Sequence, residues 1–268
     1  MLPARPRRSR LVMGAALGLV AVLTVAGCAS PSISRQPIAR PGVASDVTQE
    51  TTTTRPAAGP VELAGGRPVA AIAKKQVQLH SRPARSAASG KFPARTPWGN
   101  PTVFLVRKAQ RDAAGEVWLQ VLLPRRPNGG TAWVQARWFL ITPMRHEVEV
   151  DLSDRRLVVK RGSKVVKSFR VAIGDSSTPT PVGDFFVTVK LQPPMVSKVY
   201  GEWALGLSAY SEVLDQFGTG DGQIALHGTA GTWALGKAVS NGCVRMANED
   251  VTALEKLTPV GTPVSIRA

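Results

Sequence analysis

From His146 to the C-terminus the chain repeatedly alternates apolar and polar residues, and this period of two constrains the fold more than any other feature. In HEVEVDL, Val148, Val150 and Leu152 fall on one face. In VVKSFRVAI the set is Val165, Phe169, Val171 and Ile173, and in GDFFVTVKL it is Phe185, Val187, Val189 and Leu191. Side chains alternate across a strand, so each segment reads as a half-buried antiparallel strand. RRLVVKRGSKVV reads as a hairpin with Gly162 at its turn, and TPVSIRA as a closing strand. SSTPTPVGD is expected to be irregular, because Pro179 and Pro181 cannot donate to a ladder. NEDVTALEKL is expected to be a helix. Asn248 would cap it, Glu249 and Asp250 suit its first turn, and Val251, Leu254 and Leu257 form its buried stripe.

Residues 68–142 carry shorter strand signals punctuated by Gly, Pro and Asn: RPVAAIA, QVQLHS, PTVFLVRKAQ, EVWLQVLL and TAWVQARWFLI. Val117, Leu119 and Val121 share a face, and Asn128, Gly129 and Gly130 suit a hairpin loop. The stretch WLQVLLPRRPNGGTAWVQ resembles bacterial Src-homology-3-like modules of cell-wall enzymes. That resemblance implies a small β-barrel acting in wall binding or as a structural brace.

The N-terminus points to export. MLPARPRRSR carries Arg5, Arg7, Arg8 and Arg10 and no acid, and 17 uncharged residues follow, short for a membrane span. The run ends in VAGC, where small residues before Cys28 resemble a bacterial lipobox. The resemblance implies a signal peptide over 1–27, cleavage before Cys28 and lipidation of that cysteine. A plain signal peptide and an uncleaved anchor are the alternatives. Residues 28–67, rich in Pro, Ser, Thr, Ala and Gly, are expected to form a flexible tether. The protein would then sit on the outer face of the cytoplasmic membrane, held by its lipid and facing the wall. Net charge is +16, and +12 without the four arginines ahead of Cys28. The basic residues form no single stripe with interleaved aromatics, which disfavours nucleic acid.

The chain has two cysteines. If Cys28 carries lipid, Cys243 has no partner within the chain, and an exported protein with a leftover thiol has a reason for it. Cys243 lies in VSNGCVRM, a polar turn. Sixteen residues earlier, in QIALHGT, Ile224 and Leu226 point one way and His227 the other. A thiol with an ordinary pKa near 8.5 is almost wholly protonated at neutral pH, and an imidazole supplies the base it needs. The Asn241-Gly242 turn can bring backbone N–H groups towards an oxyanion, and Gly242 permits positive φ. Arg245 can bind a carboxylate or fix the loop. His80 and His146 lack comparable context. A His–Cys metal site would need a third or fourth ligand, and no His or Cys with ligand spacing is nearby.

HGT, a spacer, then S-x-G-C-V-R is similar to the signature of bacterial L,D-transpeptidases. The match extends through IGDSSTPTPVGDFFV and NEDVTALEKLTPVGTPVSI, covering about 146–268. It implies a β-sandwich catalytic domain with one or two short helices, so the whole chain is expected to be mainly β. It implies Cys243 as nucleophile, His227 as base, Gly228 orienting that histidine through its carbonyl, and Arg245 and Ser240 supporting the site. Many relatives have histidine where this chain has Asn241, which leaves His227 as the candidate base. The implied reaction attacks the carbonyl between the third residue and the terminal D-Ala of a peptidoglycan stem, releases D-Ala, and passes the acyl group to a neighbouring stem as a 3→3 crosslink. No metal or organic cofactor is implied, and carbapenem β-lactams are candidate inhibitors. YGEWALGLSAY would contribute to the cleft through Tyr200, Trp203 or Tyr210.

Several readings compete. An L,D-carboxypeptidase uses the same residues and hydrolyses the thioester. A sortase separates its His and Cys much farther. In papain-like wall endopeptidases the Cys precedes the His. A non-enzymatic wall-binding lipoprotein would be favoured by loss of either residue, and both are present.

Overall fold

The computed structural model describes residues 59–192, 199–216, 218 and 220–268. The expected signal peptide, Cys28 and most of the expected tether lie outside the described residues. The fold is mainly β, as expected, with one α-helix among the described residues.

The first sheet comprises β1 (Gly59–Pro60), β2 (Val69–Ala73), β3 (Val77–His80), β4 (Ala88–Phe92), β5 (Val103–Arg111), β6 (Val117–Leu122), β7 (Thr131–Gln135) and β8 (Phe139–Pro143). Its order is β4-β3-β7-β6-β5-β2-β8, with β1 on β5. Residues from six of these strands, among them Ala71, Leu79, Phe104, Leu119, Val134 and Phe139, meet in one core, so the sheet curls around itself. TAWVQARWFLI is two strands joined by a 3-10 turn over Ala136–Trp138, where the sequence suggested one. The sheet also begins before residue 68: Gly59 pairs with Arg111, and Leu63 packs on the core.

The second sheet holds β9 (Glu147–Asp151), β10 (Arg156–Arg161), β11 (Lys164–Arg170), β13 (Gly183–Leu191), β14 (Ala204–Tyr210), β15 (Gln223–Thr229), β17 (Val244–Ala247) and β18 (Pro263–Arg267). Their order is β11-β10-β9-β18-β13-β14-β15-β17. The short β12 (Ile173–Gly174) and β16 (Ala238–Ser240) pair in parallel beside it. The alternating residues of HEVEVDL and GDFFVTVKL enter a common core with α1 (Asn248–Leu257).

Two local expectations are corrected. Val165 is 49% exposed, because a β-bulge between Val159 and Lys160 shifts the β10–β11 register and Val166 packs inward instead. Asn248 does not cap α1: Ala247 occupies that position without a side-chain cap, and Asn248 Oδ1 accepts the Glu202 N–H at 3.3 Å.

The two sheets are packed together. Leu105 and Leu122 of the first enclose Phe186 of the second. Ala70 and Val103 pack with Met144 and Val260, and a Cβ on Gly261, whose φ is +94°, would collide with Ala70. Arg107 and Arg267 both pair with Asp184 and hold its carboxyl below the usual range, through the Arg267 bond first.

Candidate active site

The pleat of two adjacent strands creates the site. β15 and β17 run parallel, with Leu226 opposite Val244 and His227 opposite Arg245. Ile224, Leu226, Val244 and Met246 all lie in the core, at most 1% exposed. The opposite face therefore carries Ala225 and His227 on one strand and Arg245 on its neighbour. Cys243 immediately precedes β17, and its sulfur takes a backbone hydrogen bond at Ala225. Cys243 and His227 thus share one face of neighbouring strands, two residues out of register.

His227 is buried, and its Nδ1 lies 2.8 Å from the Gly228 carbonyl. A carbonyl only accepts, so Nδ1 carries the proton and Nε2 is left as the acceptor. The Tyr200 ring meets the imidazole in a T-shaped contact at 5.2 Å between centroids. Burial pulls the His227 pKa from 6.5 down to about 4; the Gly228 bond opposes this and the Arg245 charge adds to it. Burial also pushes the Cys243 thiol up, against the Ala225 backbone bond and Arg245. The resting pair is a neutral thiol beside a neutral imidazole. The Tyr200 phenol is raised, first by burial and then by its interaction with Cys243.

The orienting carbonyl has to come from glycine. A Cβ on Gly228 would strike Asn248 Oδ1 and come within 2.9 Å of Val251 Cγ1. Helix α1 therefore packs directly on the backbone that holds His227, and this contact accounts for the position of Asn248.

The turn that carries Cys243 is braced from 62 residues away. Thr180 Oγ1 donates to the Gly242 carbonyl at 2.9 Å and accepts from the Gly174 N–H at 2.9 Å. Thr178 Oγ1 and the Asp175 N–H both donate to the Ser240 carbonyl at 3.1 Å. Asp175 closes its own turn by accepting from Ser177 and Thr178, and those bonds lower its carboxyl. Ser240, fully buried, donates through Oγ to the Cys243 carbonyl and accepts from the Gly242 N–H at 3.2 Å. Gly242 adopts a φ of +103°, as its position in the turn suggested. Its N–H, expected to face an oxyanion, is instead held by Ser240, and Asn241 is exposed.

Arg245 is fixed through its backbone, exchanging two 2.8 Å bonds with Ala172. Its Nε is buried without a hydrogen-bond partner among the described residues, an uncompensated donor beside the thiol. Tyr210 is not brought to the thiol. Its hydroxyl donates to Pro124 O at 3.3 Å, its N–H donates to Asn128 Oδ1 at 2.9 Å, and Arg126 lies over its ring. It is a contact between the two sheets. The Arg126 guanidinium also donates to the carbonyls of Asp221, Ser211 and Leu214, so the β6–β7 hairpin grips both ends of the loop that feeds β15. Trp203 packs half-buried against the core. His80 and His146 lie elsewhere, bonded to the Ala84 and Leu257 carbonyls.

Thr180, Thr178 and Asp175 escaped the sequence reading as site residues. Their signal was one acid and a run of hydroxyls leading into Pro179 and Pro181, which marks a turn but not its distant partner.

Residues 145–266 match the YkuD family model, described as the L,D-transpeptidase catalytic domain. YkuD of Bacillus licheniformis is 32% identical over 154 residues, which are 55% of this chain and 85% of that protein. YqjB of Bacillus subtilis is 40% identical over 123 residues, 44% of this chain and 69% of that protein. YkuD of Bacillus subtilis is 31% identical over 121 residues, 45% of this chain and 65% of that protein, so the chain spans just under two thirds of that relative. All three carry L,D-transpeptidase in their names.

Proposed function

Since this chain belongs to the L,D-transpeptidase family, we propose that it crosslinks peptidoglycan stems through a thioester on Cys243. One observation supports this above the others: Cys243 and His227 share a face of adjacent strands, and Nδ1 of His227 is anchored so that Nε2 accepts. The Cys243 proton passes to Nε2 as sulfur attacks the carbonyl between the third stem residue and terminal D-Ala. With an imidazole pKa of about 4, the imidazolium is a strong acid and is short-lived. The carbon–nitrogen bond breaks, the imidazolium proton goes to the departing D-Ala amine, and a thioester remains. The side-chain amine of a third residue on a neighbouring stem attacks that thioester. Its proton returns through His227 to the Cys243 sulfur, leaving a 3→3 crosslink.

Backbone N–H groups of residues 241–243 would serve the oxyanion once substrate displaces the Ser240 contact, and Arg245 would support the site by binding a stem carboxylate or fixing the loop. Water in place of the amine would give an L,D-carboxypeptidase. Export and lipid attachment at Cys28 complete the reading and place the site on the outer face of the membrane. Carbapenems would acylate the same sulfur. A non-enzymatic wall-binding lipoprotein is the alternative in which none of this chemistry occurs.

The test incubates a purified tetrapeptide muropeptide with protein lacking the first 28 residues, beside its Cys243→Ala and His227→Ala forms. A dimer that has lost one D-Ala, absent with both variants, is expected. Tripeptide monomer alone would assign hydrolysis. No turnover by folded protein would overturn the enzymatic reading.

A further inference from the structure

The charge of this protein is segregated between its two sheets. Residues 59–143 hold thirteen Lys and Arg against three Asp and Glu, whereas residues 144–268 hold fourteen against thirteen. The stem-peptide chemistry therefore sits on a nearly neutral half, and the excess positive charge lies on a half that the chemistry does not use.

Part of that charge gathers at one end of the first sheet. The β2–β3 turn meets the 3-10 turn before β8 where the Lys74 N–H donates to the Trp138 carbonyl at 3.0 Å. It meets the β4–β5 turn where the Ala73 N–H donates to the Thr102 carbonyl at 2.9 Å and the Thr102 N–H donates to the Ala94 carbonyl at 2.9 Å. These bonds bring together Lys74, Lys75, Arg95, Arg137, Trp98 and Trp138. Trp98 is 62% exposed, and Leu140, two residues past Trp138, is 57% exposed. Lys75 Nζ sits 3.1 Å from the centre of the Trp138 ring, and Arg137 lies over the same ring at 5.0 Å. The acids at this end are already engaged. Glu116 pairs with Arg137 and Arg85, and Asp112 accepts from the Ala114 and Glu116 N–H groups and from the Trp118 indole. Lys74, Lys75 and Arg95 form no ion pair among the described residues.

The patch therefore presents cations around exposed aromatic and aliphatic side chains, beside Ile72 and Val103, which pack on the second half of the chain.

We propose that this cationic, aromatic patch docks on an anionic lipid surface. Lysine and arginine pair with headgroup phosphates, while Trp98, Trp138 and Leu140 suit the boundary between headgroups and acyl chains. A soluble polyanion would satisfy the cations and leave Trp98 and Leu140 in water, so the lipid surface fits both halves of the patch. The proposal rests on the export reading. It gives the lipid anchor a second, reversible contact that holds the catalytic half at a set orientation over the membrane.

The test is co-sedimentation of the chain from residue 29 with vesicles of phosphatidylcholine alone or mixed with phosphatidylglycerol. Binding to the mixed vesicles, none to the neutral ones and a blue shift of tryptophan emission are expected. Lys74→Ser with Lys75→Ser should weaken binding by at least about tenfold, at roughly fivefold for each cation near the surface. Trp98→Ser should weaken binding and remove most of the blue shift; this residue is exposed, so folding is preserved. Equal binding to both vesicles, no binding, or full displacement by poly(glycerol phosphate) with Trp98→Ser unaltered would overturn the lipid assignment, the last in favour of a wall polyanion. Cys243→Ala should bind vesicles normally, and the patch variants should turn over soluble muropeptide normally, so this proposal and the enzymatic one fail separately.

Discussion

His227 should carry a separable part of this protein's loss of stability at low pH. Its imidazole titrates at about 4 in the fold and at 6.5 in an unfolded chain. Between those values the unfolded chain binds a proton that the folded one refuses. The stability is therefore fully present above the unfolded value and is lost as pH falls towards the folded one. At 1.36 kcal/mol for each tenfold, the ceiling on the loss is about 3 kcal/mol, of which about 2 kcal/mol is gone by pH 5. The group is only 2% exposed, so solvent screening takes little from this figure. The assay is urea unfolding at about pH 7.5 and about pH 5 for the parent chain and His227→Gln, which keeps a polar side chain but cannot titrate. Asp151, Asp175 and Asp184 also lose stability as pH falls, and subtracting the variant removes their common contribution. The parent should lose about 2 kcal/mol more than the variant over that interval. An equal loss in both would refute the claim that His227 is held neutral by burial.

The thiol gives a complementary result. Because burial raises Cys243, its alkylation by iodoacetamide at neutral pH should be slower than that of an unstructured cysteine peptide and should keep rising through about pH 9, and a plateau below about pH 8 would show a preformed thiolate. Gly228→Ala should push Asn248 and Val251 away, tilt His227 and cut D-Ala release about a hundredfold while the protein stays folded by circular dichroism. Arg126→Ala should cost about 3 kcal/mol in urea unfolding, since it strips charge-assisted bonds from three carbonyls, whereas Arg125→Ala, exposed and without those bonds, should cost almost nothing.

The parts of this molecule legible in its sequence are those written in local periodicity. Val148 and Val150, Phe185 and Val187, and Ile224 and Leu226 announced their strands by alternation, and the same alternation put His227 on the far side from the core. Cys243 was legible because a thiol in a polar turn has few structural uses. β4 was not legible: ASGKF is almost wholly exposed and has no apolar alternation to read. Neither was the bulge that turns Val165 outward, since one extra residue changes the register without changing the composition. Asn248 has the chemistry of a helix cap, yet tertiary contact with Glu202 and Gly228 claims its side chain. The brace from Thr180 to Gly242 and the clasp of Asn128 on Tyr210 join residues 62 and 82 positions apart, and no window along the chain contains both ends.

The most direct test of the central claim is intact-protein mass spectrometry of the parent chain quenched in acid during turnover of a tetrapeptide muropeptide. A covalent adduct with the mass of the substrate less D-Ala, mapped to Cys243, lost on hydroxylamine treatment and missing from Cys243→Ala, is the expected result. D-Ala release that persists in Cys243→Ala, or an adduct that maps to another residue, would contradict the account.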